Sequence, residues 1–241
     1  MIEDGDRIIL RTSERLFFVQ AGKSTFSTDL GMINLAEAVG KESGDQISTH
    51  LGTVFTILIP RPTDFFAHGK RSGAPMLPKD IGMVIASTGM NHRDNVLDAG
   101  CGSGIAAIYF GSVAQSVTSY EIRDNFAAIC RGNVQEAGLE NVNVICGDVL
   151  DAEGTFDVVH LDLHITPEHV THAYNLLVPG GYLATYTPFL EQTFIVLDTA
   201  EPLFGEVTCH ELMDRELSRS KRGTRPSTRV AHSGYITVCR K

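Results

Sequence analysis

The feature that most constrains this chain is a glycine-rich loop between a hydrophobic strand pattern and an apolar helix pattern. Residues 96–99 have the strand pattern, residues 98–104 spell DAGCGSG, and the helical pattern at 105–113 follows at once. A strand, a tight glycine turn and a helix in this order are typical of a parallel α/β sheet, in which backbone N–H groups of the turn approach a ligand closely. The loop therefore predicts a Rossmann-like sheet that binds a nucleotide-like cofactor.

Strand and helix patterns alternate along the chain from about residue 78, which favours an α/β fold. Further strands are predicted at 116–120, 142–145, 156–163, 182–186 and 235–239, a helix at 126–137, and a turn at Pro179-Gly180-Gly181. Before Pro60, short alternating runs separated by glycine and polar turns predict a small β-rich module. We therefore predict a small β-rich N-terminal domain at residues 1–65 and an α/β domain at residues 66–241.

Composition excludes several classes of protein. With 241 residues, 43% hydrophobic and 20% charged, the chain can bury a core of its own and is neither disordered nor fibrous. No apolar run approaches the length of a membrane span, and the first residues are acidic where a signal peptide is basic. We therefore expect a soluble, cytoplasmic protein with no membrane partner. The five cysteines form no CxxC pair, so neither a disulfide framework nor a cysteine zinc site is predicted.

The charge distribution leaves two interpretations of one segment open. The net charge of −9 argues against a generic nucleic-acid binder, because phosphate binding needs clustered lysine and arginine. Residues 214–229, however, carry six basic residues against two acids. This segment is either a solvated basic loop or a phosphate contact patch on an acidic body. The candidate phosphate contacts are Arg219, Lys221, Arg222, Arg225 and Arg229.

The residues after the glycine loop narrow the choice of cofactor. Ile105 stands where a dinucleotide-binding fingerprint needs its third glycine, which argues against NAD. Glu121 and Asp148 follow at the ends of the next two predicted strands, where carboxylates can accept from ribose hydroxyls and from the adenine amine. This order favours S-adenosylmethionine and resembles class I methyltransferases. The predicted cofactor-binding residues are Asp98, Gly100, Gly102, Ser103, Gly104, Glu121 and Asp148.

The fourth predicted strand ends in the polar sequence His160-Leu-Asp162-Leu-His164. Because the carboxyl ends of strands face the ligand crevice in such sheets, Asp162 is the predicted catalytic residue. His169 and His172 follow on a helix, so the histidines suggest either a metal site or hydrogen-bonded structural side chains. We expect no metal, because a strand buried between helix layers would have to open to admit one.

Several short segments form a pattern that extends over most of the chain. They are residues 26–31, 78–80, 98–104, 119–123, 162–163, 179–188, 191–192 and 225–235. The glycine loop occurs in many methyltransferases, whereas the PKD at 78–80 and the tail RPSTRVAHSGY at 225–235 are far more specific. Together these segments resemble the tRNA (adenine-N1)-methyltransferases, especially the archaeal branch, which methylates adenine in the T-loop of tRNA.

The resemblance implies roles for individual residues and for the whole chain. Gly100, Gly102, Ser103 and Gly104 match the loop on the methionine side of the cofactor, Glu121 the ribose acceptor, Asp148 the adenine acceptor and Asp162 the catalytic acid. The substrate implied is the tRNA adenine at position 58, with position 57 as a second target, and the assembly implied is a homotetramer. The chain departs from the family at Leu77 and His164, where the family has an aromatic or histidine and a proline.

Two other functions remain open at this point. One is a methyltransferase for a small molecule or a protein carboxylate on the same sheet, which the acidic net charge favours. The other is a non-catalytic RNA-binding subunit, against which the complete set of Asp98, Glu121 and Asp162 argues.

In the favoured mechanism, Asp162 accepts a hydrogen bond from the N6 amine of adenine and aligns N1 with the sulfonium methyl group.

Overall fold

The computed structural model describes residues 1–227 and 232–241 and divides them into two units. The first unit holds residues 1–70 and 132–139, and the second holds residues 71–131 and 140–241. Arg229, one of the candidate phosphate contacts, lies outside the described residues. None of the helices in the described part of the chain is long and apolar enough to cross a membrane.

The first unit is built on an antiparallel sheet of four strands in the order β2-β1-β6-β5, with β3 and β4 forming a separate hairpin. Ile8 and Leu10 of β1 are fully buried with Phe55 and Ile57 of β6, because their side chains alternate onto the covered face. The predicted small β-rich module is confirmed. Its elements are β1 (Arg7–Arg11), β2 (Leu16–Gln20), β3 (Thr25–Thr28), β4 (Gly31–Asn34), β5 (Gln46–Ser48), β6 (Val54–Leu58) and α1 (Pro62–His68).

The second unit contains a mixed sheet of seven strands with the order β12-β15-β11-β10-β7-β8-β9. Strands β7 to β11 run parallel, and β15 is antiparallel to both of its neighbours. The predicted Rossmann-like sheet is confirmed. The elements from here on are α2 (Pro78–Thr88), β7 (Asn95–Ala99), α3 (Ile105–Gly111), β8 (Ser116–Glu121), α4 (Asp124–Glu136), β9 (Val142–Cys146), β10 (Phe156–Leu161), α5 (Pro167–Leu176), β11 (Leu177–Thr187), α6 (Leu190–Ala200), β12 (Glu206–Glu211), β13 (Leu217–Ser220), β14 (Gly223–Pro226) and β15 (Tyr235–Arg240). The residues of α4 from 132 onward belong to the first unit.

The strand order places a crevice beside β7. Within the sheet, β8 lies next to β7 on one side, and β10, which comes later in the chain, lies next to β7 on the other side. Loops that leave adjacent strands in opposite directions open a cleft at the carboxyl ends of those strands, which is where such sheets bind ligands. The glycine loop after β7 and Asp162 after β10 both lie at this edge.

Several predicted boundaries differ from the observed ones. The turn predicted at Pro179-Gly180-Gly181 is wrong, because β11 begins at Leu177 and these residues lie within it. Gly180 takes a positive φ of +81°, and its N–H donates to the carbonyl of Lys241, so the segment stays paired despite a register shift against β10. Strand β10 ends at Leu161, two residues earlier than predicted.

The basic segment also differs from the expected loop. Part of it forms β13 and β14, a two-stranded hairpin in which Ser218 pairs with Arg225 and Arg219 with Thr224. All eight residues of the two strands are exposed, so the hydrophobic alternation that marks a half-buried strand is absent from their sequence.

Candidate active site

Two adjoining cavities lie at the carboxyl ends of the parallel strands in the second unit. The first cavity measures about 250 Å³ and is bordered by residues 72–76, the glycine loop and His160. The second measures about 420 Å³ and is bordered by Glu121, Asp148 and the residues that follow β10. Both cavities are bordered by Gly100, Arg123 and Asp162.

Gly100 is required where the chain after β7 meets the chain after β10. Its φ is +83°, and a side-chain carbon at this position would overlap the backbone carbonyl of Asp162. The N–H of Asp162 donates in turn to the carbonyl of Ala99 at 2.8 Å. Only glycine allows this close approach, so the loop and Asp162 are held together by backbone contacts.

Asp162 lies among other charged groups at the border of both cavities. Burial raises the pKa of its carboxyl to about 6, the carboxylates of Asp98 and Glu121 raise it further, and the nearby His160 opposes the shift. The group therefore changes from a protonated to an ionised carboxyl just below neutral pH. A carboxylate at such a position can accept a hydrogen bond and stabilise developing positive charge.

Glu121 ends β8 and is 2% exposed. One of its oxygens accepts from the Gly102 backbone N–H at 3.0 Å and from the Arg123 guanidinium at 3.2 Å. The other oxygen accepts from the Arg123 Nε at 2.8 Å and from the Arg123 backbone N–H at 3.1 Å. Burial alone would raise the pKa of this carboxyl, but these hydrogen bonds outweigh burial and hold the pKa below its usual range. Glu121 is thus a preformed, ionised acceptor.

The remaining predicted cofactor residues have different positions. Asp148 lies beyond the end of β9, borders the second cavity and caps a short 3-10 helix by accepting from the Leu150 N–H at 3.0 Å. Ser103 is buried at the first cavity, where its hydroxyl accepts from the Ser72 N–H at 3.3 Å. Asp98, Gly100, Gly102, Ser103 and Asp162 border the first cavity together.

Gly104 is the exception among the predicted cofactor residues, because it borders neither cavity. Its φ is +81°, and a side-chain carbon there would come within 2.7 Å of the sulfur of Cys130 in α4. Gly104 therefore allows the start of α3 to pack closely against α4. Glycines in such loops serve close packing of the helix as well as ligand contact, and Gly104 serves packing.

Comparison with known proteins decides the family. Residues 96–181 match a model described as a methyltransferase domain. A tRNA (adenine(57)-N(1)/adenine(58)-N(1))-methyltransferase from Methanocaldococcus jannaschii is 31% identical, over 97% of this chain and 94% of its own length. The chain belongs to the tRNA (adenine-N1)-methyltransferase family.

Solved structures agree with this assignment at the level of the fold. A SAM-dependent O-methyltransferase from Thermotoga maritima superposes with a TM-score of 0.85 at 28% identity, covering 100% of this chain and 94% of its own. A tRNA (m1A58) methyltransferase from Aquifex aeolicus superposes with a TM-score of 0.79 at 23% identity, covering 100% of this chain and 98% of its own. The fold and the predicted family are both confirmed.

S-adenosylmethionine is the methyl donor of this family, and the two cavities fit its two ends. The second cavity presents Asp148 and the ionised Glu121, which suit the adenine amine and the ribose hydroxyls respectively. The first cavity presents the glycine loop, in which a side chain at Gly100 would fill the space beside Asp162. The junction of the cavities at Asp162 is where the sulfonium centre, which joins the two ends, would lie.

The two most specific family segments contact each other in the structure. The Lys79 ammonium donates to Asp80 at 2.6 Å and to the Ser233 hydroxyl at 2.6 Å, and the Ser233 hydroxyl donates to the other Asp80 oxygen at 2.7 Å. Tyr186 donates to the Ser233 carbonyl at 2.7 Å. Burial raises the pKa of the Tyr186 hydroxyl, and the carboxylates of Asp80 and Asp162 raise it further. The PKD segment and the tail are therefore held together near Asp162.

Sequence reasoning missed residues 72–76, which border the first cavity just before α2. Their sequence, SGAPM, resembles any flexible connection, and no spacing relates it to the glycine loop.

The structure also shows where the two residues that depart from the family pattern lie. Leu77 is partly exposed at the start of α2, and His164 borders the second cavity with its Nδ1 2.7 Å from the Gln192 amide.

We predict that the enzyme needs no metal. Within residues 1–227 and 232–241, no group of three histidine, cysteine, aspartate or glutamate side chains is arranged to hold one. The Nδ1 atoms of His160, His164 and His169 lie within hydrogen-bond distance of Asp98, Gln192 and Thr166. Treatment with 1,10-phenanthroline, with Mg²⁺ retained to fold the tRNA, should leave the methylation rate unchanged. A loss of activity that added zinc restores would contradict this prediction.

Proposed function

We propose that the protein transfers the methyl group of S-adenosylmethionine to N1 of the tRNA T-loop adenine at position 58, with position 57 as a second target. The Methanocaldococcus relative is named for both positions. The observation that carries the proposal is the position of Asp162, which borders both cavities and is fixed against Gly100 at their junction. A carboxylate there can orient a base next to the methyl donor.

The chemistry at this position depends on orientation and charge. Bound S-adenosylmethionine supplies an electrophilic methyl group. Asp162 accepts a hydrogen bond from the N6 amine of the adenine, which holds neutral N1 in line with that methyl group, so positioning supplies most of the rate enhancement. As positive charge develops on the ring, the Asp162 carboxylate stabilises it in a site that excludes much of the water.

The adenine must leave the folded tRNA to reach Asp162, and extruding a base costs a few kcal/mol. Contacts to tRNA phosphates by Arg219, Lys221, Arg222 and Arg225 of the exposed hairpin, and by Arg229, would offset part of that cost. Arg219 and Arg225 lie on strands with no buried face, and Lys221 and Arg222 lie in the turn between them, which suits a surface that binds RNA.

The proposal extends to a cytoplasmic homotetramer. An apolar surface around the start of α6 supports assembly, because Phe189 is 66% and Phe194 53% exposed, with Leu190 between them. Light scattering of the purified protein should give four times the chain mass. A monomer at micromolar concentration would contradict the assembly without affecting the assigned reaction.

The decisive experiment supplies labelled S-adenosylmethionine and an unmodified tRNA transcript, then maps the methylated nucleosides. We expect 1-methyladenosine at position 58, and at 57 where that base is also adenine. A transcript with guanine at position 58 is the matched control and should receive no label there. Absence of 1-methyladenosine from the first transcript would contradict the proposal.

A second candidate function is methylation of a carboxylate or hydroxyl group. The Thermotoga protein that superposes with a TM-score of 0.85 is described as an O-methyltransferase, and the net charge of −9 suits a substrate other than nucleic acid. The two candidates differ in the product. An ester or ether label on a small molecule or protein, formed without tRNA, would favour the second.

The basic hairpin gives a prediction that tests RNA contact separately from chemistry. Replacing Arg219, Lys221 and Arg222 by alanine should weaken tRNA binding and flatten its salt dependence, by up to roughly 0.9 log unit per decade of salt for each lost phosphate contact. The matched control replaces three exposed arginines elsewhere in the second unit, Arg93, Arg131 and Arg240. Fluorescence titrations at several salt concentrations would measure both slopes, and equal slopes would return the hairpin to the solvated-loop interpretation.

A further inference from the structure

A buried chain of hydrogen bonds crosses three neighbouring strands of the second sheet, β10, β7 and β8. The Ser119 hydroxyl donates to one oxygen of Asp98 at 2.9 Å, and the Nδ1 of His160 lies 2.8 Å from the other oxygen. Their exposures are 0%, 1% and 0%. Backbone register fixes the three side chains, since Asp98 pairs with Ser119 across β7 and β8 and with His160 across β7 and β10.

This network fixes the hydrogen-bonding role of the histidine. The Asp98 carboxylate only accepts hydrogen bonds, so the neutral ring that contacts it must carry its proton on Nδ1. The other ring nitrogen, Nε2, is then an acceptor. It is buried and has no hydrogen-bond partner among the described residues, a costly state for a polar atom.

The unpartnered nitrogen belongs to a residue of the first cavity. His160 borders that cavity together with Asp98 and Asp162, and the ring of Phe110 packs edge-on against the imidazole with centroids 5.2 Å apart. An acceptor on a cavity that two carboxylates also border suits a ligand group that is positively charged and donates hydrogen bonds. Since Glu121 and Asp148 suit the adenosine end in the second cavity, the methionine end falls in the first, and its α-ammonium is such a group.

We infer that His160 is a cofactor-binding residue whose Nε2 accepts a hydrogen bond from the α-ammonium of S-adenosylmethionine, with Asp98 and Ser119 acting as positioning residues that fix the ring. The inference rests on the methyl donor occupying the first cavity and is independent of the RNA substrate. It gives the buried histidine of this chain a function beyond filling the core.

Calorimetry with two ligands tests the contact: S-adenosylhomocysteine, and its des-amino analogue in which hydrogen replaces the ammonium. His160→Phe should weaken binding of S-adenosylhomocysteine roughly 10- to 100-fold, the range for a hydrogen bond to a charged group, and leave binding of the analogue unchanged. His160→Gln, which retains a donor for Asp98 and an acceptor oxygen, should restore most of the affinity. Equal weakening of both ligands by His160→Phe would overturn the inference, because a structural role affects both.

A second measurement uses the unaltered protein, in case His160→Phe does not fold. In protein labelled with ¹⁵N-histidine, the His160 Nε2 resonance should shift when S-adenosylhomocysteine is added and stay in place when the analogue is added. His172 is the internal control, since its Nε2 is also buried without a partner but borders neither cavity. An unshifted His160 resonance would overturn the inference. Normal results here with no tRNA methylation would contradict only the proposed function.

Discussion

Asp162→Asn should lower the single-turnover rate of methyl transfer to tRNA by about 10²- to 10³-fold, the scale for losing one preorganised stabilising group. Asparagine keeps the size of the side chain and one acceptor oxygen but lacks the negative charge that faces the developing charge on the adenine. Rapid-quench measurements at saturating methyl donor and tRNA would give the rate. A wild-type rate in this variant would show that Asp162 is not catalytic.

The ionisation of Asp162 adds two measurements to this prediction. Burial raises the pKa of its carboxyl from the ordinary 3.8 to about 6, so kcat/KM for the methyl donor should fall as the pH drops through about 6, and Asp162→Asn should remove that dependence. A raised carboxyl pKa also means that stability decreases as the pH rises from about 4 to 6. At pH 8 the variant should therefore melt no lower than wild type. A lower melting temperature would indicate structural damage instead.

Glu121→Ala should weaken binding of S-adenosylmethionine by about 2–3 kcal/mol, or roughly 30- to 150-fold, because a buried carboxylate that accepts from ribose hydroxyls is lost. All four hydrogen bonds of Glu121 are now made by Arg123 and Gly102, so the ribose must replace donors of Arg123. Arg123 can give up these contacts because its side chain is 55% exposed and can turn to solvent.

Calorimetry with S-adenosylmethionine would measure the affinity of Glu121→Ala against a matched control. Asp124→Ala removes an exposed carboxylate three residues further along the chain, which borders neither cavity, and should leave the affinity unchanged. Unchanged affinity in Glu121→Ala itself would remove Glu121 from the cofactor site.

The sequence predicts those parts of the site that depend on neighbouring residues. The glycine loop and Asp162 follow β7 and β10, and Glu121 ends β8, and parallel strands bring their carboxyl ends to one edge of the sheet whatever the length of the helices between them. The positions of these residues at the two cavities follow from that rule. Strand β12 escaped prediction because it lies at the edge of the sheet and has mostly exposed side chains, which leave no alternating pattern.

Other parts depend on contacts that no local pattern encodes. The Lys79 Nζ and the Ser233 Oγ lie 2.6 Å apart, although the two residues are separated by 154 positions in the chain. The orphaned Nε2 of His160 is visible only once the register of β7 against β10 is known, because that register gives Nδ1 its partner. Gly104 belongs to the motif by sequence, yet its contact with Cys130 is a matter of helix packing.

The position of β15 inside the sheet affects how the protein is made. β15 lies between β11 and β12, and β12 pairs with no other strand of its sheet. Until the ribosome has synthesised β15, one edge of β11 and the whole of β12 have no strand to pair with, although all the parallel strands have already been synthesised. Open strand edges are templates for aggregation, so this interval is when a nascent chain is most exposed to misassembly. A destabilising change in β15 would therefore reduce the yield of soluble protein, although no residue of β15 borders either cavity.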